Sequence, residues 1–138
     1  MKKKLIILLI GIMVAMVIGF IGIKYISLHV DNFNRRIEEM TVTDVDLSVT
    51  ADGKYIGAYI LFPISARVEV TLEDSKIAAI EIVEHKNGRG AEAEAVVERV
   101  IEDQTLEVDA VTGATYSSKI ILKAIEIALK NAVNQSVH

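Results

Sequence analysis

The residues best suited to chemistry fall in one run, Asp109, Ala110, Val111, Thr112, Gly113, Ala114, Thr115, Tyr116, Ser117 and Ser118, a small-residue turn leading straight into a helical pattern. Apolar residues at Ile120, Ile121, Ala124, Ile125, Ala128, Leu129, Ala132 and Val133 keep the i, i+3, i+4 spacing of a helix with one buried stripe. That helix is expected to begin between Tyr116 and Ser118. The first backbone N–H groups of a helix have no intrahelical partner and sit at the positive end of the peptide dipoles, so a phosphate bonded to Thr115 would be stabilised there. The same residues also serve as an ordinary cap, since Ser and Thr are common N-cap residues and Gly113 suits a tight turn. A cap alone gives no reason for the small Ala114, for two further hydroxyls, or for an acid six residues before Thr115.

The segments upstream must position this turn. Val45, Leu47 and Val49 alternate with polar residues between Val42 and Thr50, which predicts a first strand, and Ala51 to Lys54 supplies a turn. Tyr55 to Phe62, Ala66 to Leu72 and Ile77 to Val83 read as three more strands, with Pro63 and the Glu73 to Lys76 run as the breaks between them. From Ala91 to Asp103 the period changes. Ala93, Val96, Val97, Val100 and Ile101 share one side while Glu94, Glu98 and Glu102 line the other, the pattern of a helix packed on a sheet. A meander of strands followed by helices predicts an α+β fold, an antiparallel sheet with two helices packed on one face. The last residues, Asn134 to His138, are expected to fray.

Asp-x-x-Thr-Gly-Ala-Thr resembles the flavinylation motif of the FMN-binding domain family, which includes the C subunit of the sodium-translocating NADH:quinone reductase and the G subunit of the Rnf complex. The resemblance runs from about Gly53 to Leu129 and takes in a Gly-x-Tyr-x-Gly strand start, a Lys-Ile strand, a His loop, a helix and the motif. It implies that an FAD-dependent flavin transferase attaches FMN by a phosphoester to Thr115, with Asp109, Thr112, Gly113 and Ala114 at the other motif positions. Tyr116, Ser117 and Ser118 continue the expected cofactor site. The loop at 84–90 carries His85, which matches the family's histidine near the flavin, and Gly88 is expected beside it. Here the chain reads Asn-Gly-Arg-Gly where the respiratory subunits carry a Glu-Thr-x-Gly-like continuation. Tyr55, Tyr59 and Tyr116 are of a type that stacks on an isoalloxazine ring or simply packs.

No catalytic or metal constellation accompanies the motif. His29 and His138 lie far from His85 in sequence, and a zinc-type site needs three or four converging ligands. Asp109 lacks a Ser-His-Asp setting and suits motif shaping and recognition by the transferase. With no cysteine in the chain, a disulfide framework, a lipoprotein anchor and an iron–sulfur cluster are excluded. Redox chemistry would have to come from a bound cofactor. Residues 41–138 carry nine Lys/Arg against sixteen Asp/Glu, and this acidic balance argues against a nucleic-acid partner.

The amino terminus reads as a membrane anchor. Leu5 to Ile23 contains no charged residue and spans roughly 28 Å as a helix, close to the ~30 Å hydrocarbon core. Its length and the absence of an Ala-x-Ala-like exit set it apart from a cleaved signal peptide. The organisation expected is a transmembrane anchor at 1–27, a juxtamembrane helix or stalk at 28–41, and an FMN-binding domain at 42–138.

The leading reading is an electron-carrier domain rather than a complete enzyme, relaying electrons between donor and acceptor proteins or small molecules. A membrane-tethered binding or structural module without redox function is the alternative, and an FMN subunit acting directly on a small substrate is a third. Lys2, Lys3 and Lys4 precede the anchor and only Lys24 follows closely, so the positive-inside rule keeps the amino terminus in the cytoplasm and the domain outside it. Protease added to intact spheroplasts is expected to remove the domain after residue 41, whereas full protection would place it in the cytoplasm.

Overall fold

A computed structural model describes residues 1–86 and 90–136. They form two compact units, Met1–Glu39 and Met40–His138. The first is a single helix, α1 (Lys2–Glu39), long and apolar enough to cross a membrane. It covers both the expected anchor and most of the expected juxtamembrane segment without a break.

The second unit is built on three antiparallel strands in the order β1 (Gly53–Leu61), β2 (Ile64–Glu73) and β3 (Lys76–Lys86). β1 starts two residues earlier than the sequence pattern predicts and ends one residue sooner, while β2 and β3 extend at both ends, and both hairpins are tight. Leu61 pairs with Ile64 across Phe62 and Pro63, and Glu73 pairs with Lys76 across Asp74 and Ser75. Asp74 and Ser75 both have left-handed backbone, with φ of 51° and 60°, as a type I′ hairpin requires. On the inner face Tyr55, Leu61, Ala66, Val68, Val70, Leu72 and Ile77 are buried. Over them lie α2 (Val96–Asp103), which packs on β3, and α3 (Thr115–Ser136), which packs on β1 and β2. The fold is α+β, as expected. The single helix expected from Ala91 is a 3-10 turn at Ala91–Ala95 that runs into α2.

The strand expected between Val42 and Thr50 does not form. Its Asp, Ser and Thr side chains satisfy the polar groups that a sheet ladder would otherwise satisfy. Asp46 accepts from the Ser48 amide at 2.9 Å and caps a 3-10 turn at Leu47–Val49, which Thr50 closes by donating to the Leu47 carbonyl. Asp44 accepts from Thr105 and from the Leu106 amide, and Thr43 donates to Glu126. The segment therefore serves as a strap across α3. The sheet edges are met by side-chain amides instead: Asn131 donates to the Ile56 carbonyl of β1, and Gln104 exchanges two bonds with the backbone of Ile77 on β3.

Helix α3 is buried beyond its predicted stripe, with Leu122 and Glu126 also inside. Glu126 is 1% exposed and is held by Lys123 at 2.7 Å, by Lys130 and by Thr43. Burial by itself would raise its carboxyl pKa, but the two ammonium groups more than offset that and hold it below the ordinary glutamate value. Lys123 also donates to the Thr41 carbonyl, so one charged cluster pins the strap to α3. The helix does not fray at Asn134. It continues to Ser136, whose hydroxyl accepts from the Ala51 amide and donates to the Ala132 carbonyl.

The seating of α3 depends on Gly57. A Cβ at that position would lie 2.0 Å from the Ala124 carbonyl oxygen and 2.5 Å from the Ala128 nitrogen. Both are backbone atoms that no rotamer change can move. Gly57→Ala is therefore expected to lift α3 off β1 and to destabilise the domain by at least the ~1–3 kcal/mol of an overpacked core, seen as a lower urea midpoint for the detergent-solubilised chain. Ala58→Ser, on the exposed face next to it, should stay within about 0.5 kcal/mol of wild type.

Candidate functional site

The turn before α3 is built from two backbone bonds and one serine. Ala114 donates its amide to the Val111 carbonyl at 3.0 Å, closing a β-turn with Thr112 and Gly113 at its centre. Gly113 has φ of 83°, and the space where its Cβ would be is open, so glycine is required there by backbone conformation and not by crowding. Ser118 then donates its amide to the Ala114 carbonyl at 2.9 Å. That bond makes Ala114 the N-cap and Thr115 the first residue of α3, slightly earlier than the pattern predicts.

An alanine N-cap has no oxygen to offer the first-turn amides. The turn is braced from inside the helix instead, where the Ser118 hydroxyl accepts from the Val111 amide at 3.0 Å and donates to the Ala114 carbonyl at 2.9 Å. This arrangement sorts the hydroxyls of the motif. Ser117 and Ser118 are buried at 2% and 0% exposure, whereas Thr112 and Thr115 are exposed. Ala114 is buried at 5%, and a larger side chain there would have to displace the core under the turn. Tyr116 is partly exposed beside Thr115. Asp109 is exposed, and its backbone carbonyl accepts from Arg99 Nη1 at 2.7 Å.

The end of the sheet that faces this turn follows from the seating of α3. Ser136 and Asn131 meet the chain at Ala51 and Ile56, and Ala124 lies against Gly57, so α3 runs antiparallel to β1. Nine residues of helix from Ala124 back to Thr115 rise about 13 Å, and four residues of strand from Gly57 to Leu61 extend about 13 Å. The amino-terminal end of α3, with Thr115, therefore points toward the Phe62–Pro63 hairpin end of β1. One step below that hairpin the inner face carries Tyr59, Ala66 and His85 in a single cross-strand row. Tyr55 is at the opposite end and donates to the Ala51 carbonyl, which makes it a packing residue remote from the turn.

His85 lies in β3 and not in the loop expected at 84–90, because the strand pairs with β2 as far as Lys86. Its side chain is 1% exposed, and its Nδ1 lies 3.1 Å from Glu94 in the 3-10 turn that packs against α3. It ties that turn to the sheet at the same end as Thr115. Gly88, with Asn87 and Arg89, lies outside the described residues.

Sequence reasoning passed over Arg99. A signal was available: between Ala91 and Ser118 it is the lone basic residue, against seven Asp and Glu. Periodicity placed its position on the solvent side of a helix, where a charge is unremarkable.

Thr115 is an exposed hydroxyl at the first position of a 22-residue helix whose N-cap side chain is a methyl group, and this setting fits a phosphate ester. Residues 63–130 match the family model described as FMN-binding domain. No solved structure matches the chain.

The Ser118 clasp makes a test of the site's construction. Ser118→Ala leaves the Val111 amide without its acceptor, and the expected loss is about 1–3 kcal/mol in urea unfolding, with faster hydrogen exchange at Val111.

Proposed function

We propose, from the match of residues 63–130 to the FMN-binding domain model, that this chain is a membrane-anchored, extracytoplasmic electron carrier with FMN held on Thr115 by a phosphoester. The observation that carries the choice of acceptor is the sorting of hydroxyls by burial. Ser117 and Ser118 face inward, and Ser118 is already committed to the turn, while Thr115 stands exposed at the helix start. Thr112 is also exposed, but it sits in the turn, three residues short of the first-turn amides.

Attachment follows from this placement. The Thr115 oxygen bonds to the riboflavin-side phosphorus of FAD, the pyrophosphate P–O bond to the adenylate side breaks, AMP leaves, and the hydroxyl proton passes to a base of the flavin transferase or to solvent. The chain contributes a presented nucleophile and the partial positive charge of its first-turn N–H groups, which stabilises the resulting phosphodiester. Gly113 adds no side chain beside Thr115, and Ala114 turns its methyl group inward. Bound FMN supplies one- and two-electron chemistry, and the protein supplies position and surroundings.

A covalent bond suits an outward-facing carrier, because it removes the dissociation equilibrium that would lose a free cofactor to the outside. The partners of this reading are the membrane, an FAD-dependent flavin transferase, and redox donor and acceptor molecules. The chain acts as a carrier or subunit in an oxidoreductase system and not as an enzyme alone.

Co-expression with a flavin transferase tests the acceptor. Thr115→Ala should abolish in-gel flavin fluorescence after denaturation while changing stability by no more than about 0.5 kcal/mol, since the residue is exposed and does not form the cap. Thr112→Ala should retain the fluorescent band. A fluorescent Thr115→Ala band, with FMN mapped to Thr112, would move the acceptor. A wild-type chain that takes no flavin beside a competent transferase would overturn the reading.

A further inference from the structure

We propose that Arg99 is a positioning residue for flavin attachment, holding the chain that leads into the acceptor turn; this rests on the reading of Thr115 as the acceptor. The connection from Gln104 to Ala114 has no helix or strand of its own and is fixed to the domain by side chains at successive points. Gln104 bonds the backbone of Ile77 and Ile101. Asp44 holds Thr105 and Leu106. Ser118 holds Val111 and Ala114. Between the Asp44 and Ser118 ties, the Arg99 guanidinium donates to the Asp109 carbonyl at 2.7 Å, and it joins helix α2 to the first residue of the motif.

A charge-assisted bond of this length is among the stronger ties available to a loop, and the planar guanidinium offers its donors in a fixed fork. Its surroundings give the charge a second use. Glu98, Glu102, Asp103, Glu107 and Asp109 accompany it in a stretch where no other base occurs between Ala91 and Ser118. Lys119 lies one turn along α3 from Thr115, and Arg99 is the cation that bonds the motif backbone. Position and charge have separable kinetic signatures. Misplacing the Thr115 oxygen lowers turnover of the bound complex, whereas weakening the field around it raises KM.

The experiment is in vitro flavinylation of the detergent-solubilised full chain with a purified FAD-dependent transferase and FAD, with attachment of FMN and release of AMP followed in time. Wild type, Arg99→Gln, Arg99→Lys and Glu102→Gln are compared, together with hydrogen exchange of amides 107–111 and the urea midpoint of each chain. For Arg99→Gln the expected result is a roughly tenfold or greater fall in kcat, on the scale where a 1 Å misplacement costs about 100-fold. Exchange at 107–111 should be faster while the urea midpoint is unchanged. Arg99→Lys should keep a near wild-type KM yet recover only part of kcat, because a point charge on a shorter stem does not reproduce the fork. Glu102→Gln should match wild type. A wild-type kcat in Arg99→Gln overturns the proposal and leaves the Thr115 reading intact. So does a fall in kcat matched by Glu102→Gln, or one accompanied by an equal loss of global stability. A wild-type chain that releases no AMP and gains no flavin removes the Thr115 reading first and this proposal with it.

Discussion

The contact between Gly57 and the backbone of α3 is the constraint on which the rest of the domain depends. With no side chain on Gly57, the Ala124 carbonyl and the Ala128 amide come close enough to β1 that a Cβ there would overlap both. Ala124, Ala128 and Ala132 are buried along α3, so small residues on the helix meet a missing one on the strand. This close approach fixes how far α3 lies along the sheet. The position of Thr115 at the hairpin end is thus decided some 13 Å away from it. Because interiors are close-packed, a shift of the helix at Gly57 would be felt at its amino terminus.

The turn before α3 is in turn assembled from elements that are far apart in sequence. Arg99 comes from α2, Ser118 from α3, and Asp44 from the strap before the sheet. Each bonds a different stretch of the same irregular connection, and together they hold a segment that has no ladder of its own. Burial then decides which oxygens remain available for chemistry. Of the four Ser and Thr hydroxyls in the motif, two are turned inward and one of those is committed to the turn.

Charge is organised on two scales. The domain is acidic as a whole, yet its buried carboxylate is paired: Glu126 sits between Lys123 and Lys130, and its charged form is favoured despite burial. That cluster anchors Thr41 and Thr43, the first residues of the domain after α1. At the turn before α3, Arg99 bonds the Asp109 carbonyl, and the carboxylates near it in sequence remain on the surface.

The periodic elements were legible in the sequence. The stripe of α3, the three strands and the helical face of α2 repeat at intervals of 3.6 or 2 residues, and the long uncharged run at the amino terminus meets the length of a bilayer, so local pattern alone specifies them. The motif was legible as well, since Gly113, Ala114 and Thr115 are residue types that a turn and a helix start require. Pattern failed at Val42 to Thr50, where alternation imitates a strand but Asp44, Asp46 and Thr50 find partners that a strand would not give them. It failed again at Ser117, Ser118, His85 and Arg99, because whether a polar side chain faces solvent, core or a distant carbonyl depends on which elements pack over it. The sequence by itself determined the elements, the membrane-length helix and the chemical character of the turn, all of which arise from neighbours within a few residues. Only the tertiary structure decided which hydroxyl is presented and what holds it there, because those depend on contacts closed across the sheet by residues tens of positions apart.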